Sequence, residues 1–269
     1  MSDLYAVVGN PVAHSKSPLI HAEFARQTGE QVEYRRLLAP LDGFAAALRA
    51  FRAEGGCGAN ITIPFKEQAF ALATQPSPRA LLAGAVNTIR FDDEGIFGDN
   101  TDGVGLVRDI EHNLGCSLAA KRVLVLGAGG AARGILGAIA DCRPAAITLA
   151  NRDLAKAARV AAALASVATI EVSSYVELRG SVNDIIINAT ASSIHHECPP
   201  LPGGVFAEHA LAYDLMYAAE PTPFMLFAKT QMAATVADGK GMLVEQAAES
   251  FFVWRGVRPS TAPVIAMLR

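Results

Sequence analysis

One stretch near the middle of the chain decides the fold: residues 123–132 read VLVLGAGGAA. The four apolar residues from Val123 to Leu126 predict a strand that is buried on both faces. The residues after them have the spacing G-x-G-x-x-A, and the pattern from there to about Cys142 is typical of a helix. A buried strand, a glycine-rich turn and a helix, in this order, indicate a dinucleotide-binding unit in which the first amides of the helix face a pyrophosphate.

Each small residue of this turn has a physical reason to be there. Gly127 permits the tight turn, Gly129 lets the backbone approach the phosphates, and Ala132 lets the helix pack closely on the strand. The alternative is a glycine-rich turn without a ligand, which the flanking strand and helix disfavour. We therefore predict that a dinucleotide contacts Gly127, Ala128, Gly129, Gly130 and Ala131.

The choice of dinucleotide depends on the second strand of the unit, which ends near the adenosine ribose about 20 residues after the glycines. Asn151, Arg152 and Asp153 occupy that place. Arg152 can stack on adenine or pair with a 2′-phosphate, and Lys156 adds a second positive charge, which favours NADP. Asp153 can bind a 2′-hydroxyl and repels a 2′-phosphate, which favours NAD, although it can equally serve only as the cap of the helix from Leu154. The residues predict NAD(P), with NAD suspected from Asp153.

Apolar runs with strand character alternate with helical patterns along the whole chain. The strand-like runs are residues 4–9, 32–38, 59–62, 86–91, 123–126, 146–150, 184–188 and 211–216, and helix-like runs include 18–28, 42–54, 154–164 and 242–254. This alternation predicts an α/β protein with parallel or mixed sheets covered by helices. We expect a domain boundary in the loop at residues 98–103, where a first series of elements ends.

The composition favours a small-molecule partner. The 269 residues carry a formal net charge of -3 and no block of Lys or Arg, which argues against a nucleic-acid or anionic-membrane surface. Although 51% of the residues are hydrophobic, no apolar run reaches the roughly 18 residues of a membrane span, and the N-terminus has no signal pattern. We expect a cytoplasmic protein.

Cysteines and histidines give no reason to expect a metal. The four cysteines are widely spaced without a C-x-x-C pair, so we predict buried free thiols. Residues 195–198, which read His-His-Glu-Cys, contain zinc-ligand types, but adjacent residues rarely point at one ion. We therefore predict no metal and treat this segment as a solvated loop.

Three polar clusters lie at predicted strand ends, where open α/β sheets bind ligands. In the first cluster, the hydroxyls of Ser15 and Ser17 stand at i and i+2 before a helix and can both reach one carboxylate. Because Ser17 precedes Pro18, it is equally plausible as a helix N-cap.

The second and third clusters contain groups for proton transfer and for binding hydroxyls. Asn60 and Thr62 share one face of a strand, and Lys66 follows a proline turn at a helix start, where the helix dipole favours loss of its proton. A surface lysine is the alternative. The third cluster combines Asn87 with Asp102, which is also a good N-cap.

Together these motifs resemble the shikimate dehydrogenase family, nearly from end to end. The motifs are N-P-x-x-H-S-K-S-P from Asn10, N-x-T-x-P-F-K from Asn60, residues 85–88 and 98–103, the glycine-rich turn, residues 188–190, 214–217 and 241–244, and Gln246. Each motif alone is weak, but the ordered set is highly specific.

The resemblance implies an oxidoreductase that reversibly reduces 3-dehydroshikimate to shikimate with NADP. It implies a catalytic domain with a mixed sheet, formed by residues 1–101 and 241–269, and a Rossmann-type dinucleotide-binding domain, formed by residues 102–240. The substrate, a small carboxylated cyclic polyol, is expected in the cleft between the domains. Monomer and homodimer both stay open.

The resemblance also implies roles for the residues that match its motifs. Lys66 and Asp102 are expected to form the catalytic pair. The residues expected to bind substrate are Ser15 and Ser17 at the carboxylate and Asn60, Thr62, Asn87, Tyr217 and Gln246 at the hydroxyls. Those expected near the cofactor are Thr190, Met216, Gly239 and Met242 at the nicotinamide, and Asn151, Arg152 and Lys156 at the adenosine.

Three positions depart from the family pattern. Asp153 stands where Thr is common, residues 191–193 read Ala-Ser-Ser where Gly usually closes the segment, and Lys240 replaces an apolar residue. We expect the lost glycine to alter the loop, since only glycine enters φ > 0 freely. An NAD-preferring quinate/shikimate dehydrogenase is therefore an alternative. A non-catalytic dinucleotide-binding protein is another, against which Lys66 and Asp102 speak.

Overall fold

The structure, a computed structural model, describes residues 2–268 except for the side chain of Ile194. The chain divides into two compact units. One contains the residues up to Gly105 together with those from Leu243 onward, and the other is Leu106–Met242. Each unit has its own six-stranded sheet with helices packed on it, so the predicted α/β class is confirmed.

The secondary structure follows the predicted alternation. The first elements are β1 (Asp3–Gly9), α1 (Ser17–Thr28), β2 (Val32–Leu38), α2 (Phe44–Ala53), β3 (Gly56–Ile61), α3 (Lys66–Leu72), β4 (Gln75–Pro76), α4 (Pro78–Ala83), β5 (Thr88–Asp92), β6 (Gly95–Asp99) and α5 (Asp102–Arg108). After a π-helical turn at 109–113 come β7 (Arg122–Leu126), α6 (Gly130–Asp141), β8 (Ala146–Ala150), α7 (Leu154–Ala163), β9 (Ile170–Ser173) and β10 (Asn183–Asn188). A short 3₁₀ turn at 192–195 precedes β11 (Phe206–Asp214), α8 (Pro223–Thr230), β12 (Thr235–Ala237), α9 (Lys240–Arg255) and α10 (Ala262–Leu268).

The sheet of the first unit is mixed, as predicted. Its strand order is β2-β1-β3-β5-β6-β4. The strands β2, β1 and β3 are parallel, whereas β5 pairs antiparallel with both β3 and β6. This arrangement places the end of β3 and the start of β5 next to each other, with Asn60 opposite Thr88.

Helices cover both faces of this sheet. On one face, Ala6 and Val8 of β1 belong to an apolar cluster with Phe44 of α2. Because side chains alternate along a strand, Tyr5 points to the other face, where it stacks on Trp254 of α9 at 4.5 Å between ring centroids. The C-terminal helix α9 is thereby part of the core of the first unit.

The second unit has the strand order of a Rossmann fold. Its order is β12-β11-β10-β7-β8-β9, and every neighbouring pair is parallel. Numbered within the unit, this is 6-5-4-1-2-3, the doubly wound order. In this order ligands bind at the carboxyl ends of β7 and β10, where the strand order reverses. Val123 to Leu126 are buried on both faces, as the run of apolar residues predicted.

Some predicted bounds were wrong. β11 begins at Phe206 and ends at Asp214, whereas the apolar pattern predicted residues 211–216, because Glu208 and His209 interrupt the apolar run. The strands β4, β9 and β12 were missed, since each is too short to show a period of two residues clearly. The strand β6 was missed as well, because two glycines leave it only two apolar side chains. No helix within residues 2–268 combines the length and hydrophobicity needed to cross a bilayer.

Candidate active site

Lys66 and Asp102 lie side by side in the first unit. Each is the first residue of its helix, Lys66 in α3 and Asp102 in α5. Nζ of Lys66 lies 2.5 Å from Oδ2 of Asp102, and the two side chains are 22% and 9% exposed. A partly exposed ammonium next to a nearly buried carboxylate can exchange a proton with a ligand while its partner holds it in place.

Asn87 binds the other oxygen of the same carboxylate. Its Nδ2 donates to Oδ1 of Asp102 at 2.8 Å and to Oγ1 of Thr101 at 2.9 Å, and its Oδ1 accepts the backbone N–H of Thr101 at 2.9 Å. Oε1 of Gln246 lies 3.3 Å from the same Nδ2. Because both oxygens of Asp102 have partners, the carboxylate keeps one orientation toward Lys66.

The loop that carries Asp102 is fixed through Asp99. The guanidinium of Arg79 donates to both oxygens of Asp99, at 2.6 and 2.5 Å, and Ser77 donates to one of them. Burial raises the pKa of the Asp99 carboxyl, but the bonds and charge of Arg79, together with the bonds from Ser77 and Asn100, outweigh it and hold the pKa below its ordinary value. Asn100 then accepts the backbone N–H of Asp102 at 3.2 Å. An ionised, buried aspartate therefore anchors the loop.

Asn60 is enclosed by polar groups of the same unit. The hydroxyl of Tyr34 donates to its Oδ1 at 2.8 Å, and its Nδ2 donates to Oγ of Ser250 at 2.9 Å. Ser250 in turn bonds Thr88 at 2.7 Å and Thr101 at 3.2 Å. Sequence reasoning missed Tyr34 and Ser250, because they are far from Asn60 along the chain.

Thr62 and Gln246 are the remaining substrate candidates of the first unit. Thr62 follows β3 directly and is half-buried, and its hydroxyl makes no hydrogen bond within the described part of the chain. Gln246 lies in α9, one turn before Ser250, whose hydroxyl donates to the Gln246 carbonyl. This spacing of four residues on a helix was the signal by which Ser250 could have been found.

The Ser15 and Ser17 hydroxyls form a pair at the start of α1. Oγ of Ser15 donates to Oγ of Ser17 at 3.1 Å and accepts the backbone N–H of Ser17 at 3.2 Å. The N-cap position is Lys16, without a side-chain capping bond, so the alternative of Ser17 as N-cap was wrong. Burial raises the pKa of the Tyr34 hydroxyl, and Ser17 opposes that rise to a smaller extent.

The glycine-rich turn of the second unit is open on one side and tight on the other. Gly127 has φ +95°, and a Cβ there would lie 2.9 Å from Cγ2 of Thr190 and 3.2 Å from the Ala189 carbonyl. A Cβ on Gly129 or Gly130 would meet nothing within 4 Å. Because α6 begins at Gly130, its first amides have no helical acceptor. The open side therefore suits a diphosphate.

The residues after β8 present two cations and a capping carboxylate. Oδ1 of Asp153 accepts the backbone N–H of Lys156 at 2.9 Å and caps α7. Asn151 donates to the carbonyl of Asp153 at 2.8 Å. Arg152 and Lys156 are exposed, and within residues 2–268 no carboxylate forms an ion pair with either. These residues fit the 2′-phosphate of NADP, because two free cations face solvent there.

The candidates for the nicotinamide end follow β10, β11 and β12. The N–H of Gly239 donates to the carbonyl of Met216 at 3.1 Å, and the N–H of Met242 lies 3.3 Å from the hydroxyl of Tyr213. The hydroxyl of Thr190 donates to Oδ1 of Asn188 at 2.7 Å. The structure thus brings Met216 and Gly239 together and places Thr190 beside the glycine-rich turn.

A buried carboxylate that sequence reasoning missed holds these loops. Asp214 is fully buried at the end of β11. One oxygen accepts from Nδ2 of Asn188 at 3.2 Å and from the N–H of Met216 at 3.0 Å. The other accepts the hydroxyls of Ser193 at 2.8 Å and Thr222 at 2.6 Å. The signal available in the sequence was a polar residue at the end of each of two parallel strands.

The structure gives a local account of two departures from the family pattern. Ala191 has φ −84°, and the residue in this loop with a left-handed backbone is His196, so Ser193 does not stand where glycine is needed. Ser193 instead adds a hydrogen bond to the buried Asp214. The added charge of Lys240 is paired, since its Nζ lies 3.0 Å from Asp238.

The remaining candidates are Tyr217 and the histidines and cysteines, which are residue types that can bind metals. Tyr217 lies in the second unit, half-buried, and burial raises the pKa of its hydroxyl. His195 and His196 are exposed, and no group of three potential ligands within the described residues is arranged around a metal position. The cysteines are free but half-buried rather than buried as expected, and burial raises the pKa of Cys198 to about 11.

The fold and these residues fit a class of protein, the NADP-dependent oxidoreductases. Comparison with known proteins narrows it. Family models match in three segments: the shikimate dehydrogenase substrate binding domain at residues 7–89, shikimate/quinate 5-dehydrogenase at 109–196, and the shikimate 5′-dehydrogenase C-terminal domain at 239–269.

Individual proteins that are similar to this chain lead to the same family. A shikimate dehydrogenase (NADP(+)) of Aromatoleum aromaticum is 58% identical over 99% of this chain and 97% of its own length. A crystal structure of an Ael1 enzyme from Pseudomonas putida is 49% identical with a TM-score of 0.93, covering 99% of this chain and 98% of that one. Shikimate 5-dehydrogenase from Thermus thermophilus, in complex with NADP(H) and shikimate, is 31% identical with a TM-score of 0.88, covering 98% and 97%.

The chain belongs to the shikimate dehydrogenase family, which confirms the resemblance inferred from the motifs. Relatives named as NADP(+) enzymes support NADP as the cofactor, whereas the suspicion of NAD from Asp153 finds no support among them. The capping bond of Asp153 explains this residue without a ribose contact.

Proposed function

We propose that this protein catalyses the reversible, NADP-dependent reduction of 3-dehydroshikimate to shikimate. The observation that carries the proposal is the oriented Lys66–Asp102 pair, in which the lysine side chain is partly exposed and the aspartate is buried, in a chain whose relatives bear that activity in their names. A chain that had kept only dinucleotide binding would have no need of this oriented, hydrogen-bonded pair.

Lys66 is the proposed acid and base. NADPH supplies, when bound, a hydride to the carbonyl carbon. The oxygen then carries the negative charge, and Nζ of Lys66 donates one proton to it to complete the hydroxyl. In the oxidising direction the neutral amine takes that proton back. Asp102 keeps Nζ aimed at the oxygen, because Asn87 holds its other carboxylate oxygen.

The remaining polar residues of the first unit are proposed to bind the substrate. The Ser15 and Ser17 hydroxyls suit the carboxylate, since two O–H donors two residues apart already converge. The hydroxyls of the ring are assigned to Asn60, Thr62, Asn87, Gln246 and, from the second unit, Tyr217. Thr62 has its hydroxyl free of partners within residues 2–268, which supports its availability to a ligand.

The residues of the second unit fit NADP and are proposed to hold it. Open space beside Gly129 and Gly130 and the first amides of α6 suit the diphosphate. Arg152 and Lys156 suit the 2′-phosphate, with Asn151 and Asp153 beside them and Gly127, Ala128 and Ala131 completing the turn. Thr190, Met216, Gly239 and Met242 are assigned to the nicotinamide.

Steady-state turnover of shikimate and of quinate, each with NADP and with NAD, tests the proposal. We expect kcat/KM for shikimate with NADP to exceed the other three combinations by about 10-fold or more, which corresponds to roughly 1.4 kcal/mol of discrimination. Faster turnover of quinate than of shikimate would instead identify a quinate enzyme, and no turnover of either would reject the activity.

A further inference from the structure

Arg36 of β2 is anchored on the loop that carries the serine pair. Its Nε and one terminal nitrogen, NH2, both donate to the main-chain carbonyl of Ser15, at 3.1 and 2.7 Å. These bonds join residues 21 positions apart and anchor the loop that carries Ser15 to β2, the edge strand of the sheet. The planar fork of the guanidinium therefore fixes the position of Ser15 more firmly than a single hydrogen bond would.

The charge of Arg36 has no counter-charge. No Asp or Glu within residues 2–268 forms an ion pair with it. Its neighbour Arg35 differs, because Arg35 pairs with Glu54 and lies over the ring of Phe51. Arg36 is thus an exposed cation whose position is set by a backbone carbonyl, which leaves its charge available to an anionic ligand.

The same residue, Ser15, carries both the anchoring carbonyl and a hydroxyl of the serine pair. The hydroxyls of Ser15 and Ser17 are neutral, and Ser17 is only 6% exposed. A carboxylate that left water for two neutral hydroxyls alone would lose hydration without gaining a compensating charge. A guanidinium bound to the backbone of Ser15 supplies that charge beside the pair.

We infer that Arg36 is a positioning residue for recognition of the substrate carboxylate. It fixes the loop so that the Ser15 and Ser17 hydroxyls converge, and it provides the positive potential that selects an anionic substrate over a neutral one. This inference rests on the proposed function, since it assumes that the carboxylate of the substrate binds at the serine pair.

Three variants separate charge from loop structure. Arg36→Gln removes the charge, Arg36→Lys keeps the charge without the fork, and Arg35→Gln on the same strand is the matched control. Each is assayed with shikimate and with its neutral methyl ester, in the presence of NADP, and thermal unfolding checks that each variant is folded.

We expect Arg36→Gln to raise KM for shikimate about 10-fold with kcat changed less than about 2-fold, since the carboxylate is bound alike in ground and transition states. Arg36→Lys should recover part of this loss. With the methyl ester, Arg36→Gln should lose clearly less kcat/KM than it loses with shikimate, because only the loop-fixing part of the role then remains. Added salt should lower kcat/KM for shikimate less in Arg36→Gln than in the unchanged protein.

An unchanged KM for shikimate in Arg36→Gln would overturn the inference. An equal loss with shikimate and with the ester would also overturn it, because the role would then be structural alone. If the protein turns over shikimate and Arg36→Gln has no effect, the proposed function stands and this inference fails. If the protein does not turn over shikimate, both fail.

Discussion

Nζ of Lys66 lies 2.5 Å from Oδ2 of Asp102, and this contact joins the first residues of two helices that are 36 residues apart in the chain. The carboxylate cannot turn away, because Asn87 occupies its other oxygen. The side chain of Lys66 is the more exposed of the two. A ligand therefore meets the lysine, while the aspartate determines where the lysine points.

Replacing Lys66 by Ala removes the proposed proton donor. We expect kcat to fall about 100-fold or more, with a smaller change in KM, because a positioned acid acts on the transition state. Initial rates at saturating shikimate and NADP measure this. The exposed Lys229→Ala serves as control and should keep full activity. Undiminished turnover in Lys66→Ala would remove Lys66 from its role.

Arg152 gives a separate prediction about the cofactor. Because its guanidinium is exposed and carries no ion pair within the described chain, it is free to meet a 2′-phosphate. We expect Arg152→Gln to raise KM for NADP by about 10-fold and to leave KM for NAD nearly unchanged. Arg159→Gln, an exposed arginine of α7 beyond the turn, is the control. Equal effects on both cofactors would show that Arg152 contacts the adenine instead.

Local sequence determined the elements whose signals lie within a few residues. The run from Val123 to Leu126 with the glycines after it was sufficient to predict the strand, the turn and α6, because burial and backbone conformation there depend on neighbours in the chain. The site was harder to predict from the sequence. Tyr34 and Ser250 reach Asn60 from positions 26 and 190 residues away, so only the folded packing brings them together.

The same distinction explains the loop at residues 191–193. Absence of the expected glycine predicted an altered backbone, but the need for glycine depends on φ, which the side chain does not reveal. Ala191 has an ordinary φ of −84°, and Ser193 donates to Asp214, a partner 21 residues away. Family patterns report the residue types usual at a position, whereas the local geometry decides whether a different one fits.

Variants of Asp153 can separate its role as a helix cap from its effect on cofactor selectivity. Its carboxylate caps α7, so Asp153→Ala should lower the free energy of unfolding by about 1 kcal/mol, measured by urea unfolding. Asp153→Ser keeps a capping oxygen and removes the negative charge. We expect it to retain stability and to lower KM for NADP, since a nearby carboxylate repels the 2′-phosphate. A normal stability of the alanine variant would contradict the capping role.

His21 predicts how stability depends on pH. The ring is fully buried and stacks on Tyr34 at 4.2 Å between centroids. Burial lowers its pKa from 6.5 to about 3, against a smaller opposing effect of Asn60. Below about pH 6.5 the unfolded chain binds a proton at this residue that the folded chain does not, so folding stability is full above that pH and falls as the pH drops toward 3.

The loss should be about 1.4 kcal/mol per pH unit within this window. Between pH 6.5 and pH 4.5, His21→Phe, which keeps the stacking surface, should lose roughly 2 to 3 kcal/mol less than the unchanged protein. Urea unfolding of both proteins at the two pH values gives the difference, and any overpacking by Phe cancels in it. Parallel losses in the two proteins would assign the acid sensitivity to other groups.

Gly239 tests whether the loops after β11 and β12 must approach each other closely. A Cβ on Gly239 would lie 2.1 Å from the carbonyl oxygen of Leu215. That oxygen belongs to the backbone next to Met216, whose own N–H donates to the buried Asp214, so it cannot move away without disturbing that hydrogen bond. Gly239→Ala should therefore push the two loops apart rather than displace a flexible side chain.

Because Met216 and Gly239 are both assigned to the nicotinamide, we expect Gly239→Ala to raise KM for NADP and to lower the unfolding temperature together. Gly203→Ala is the matched control, since a Cβ there would meet only the end of the Gln231 side chain, at 3.4 Å. A Gly239→Ala protein that loses stability but binds NADP normally would place the nicotinamide away from this pair of loops. One that keeps both would show that the close approach is not required.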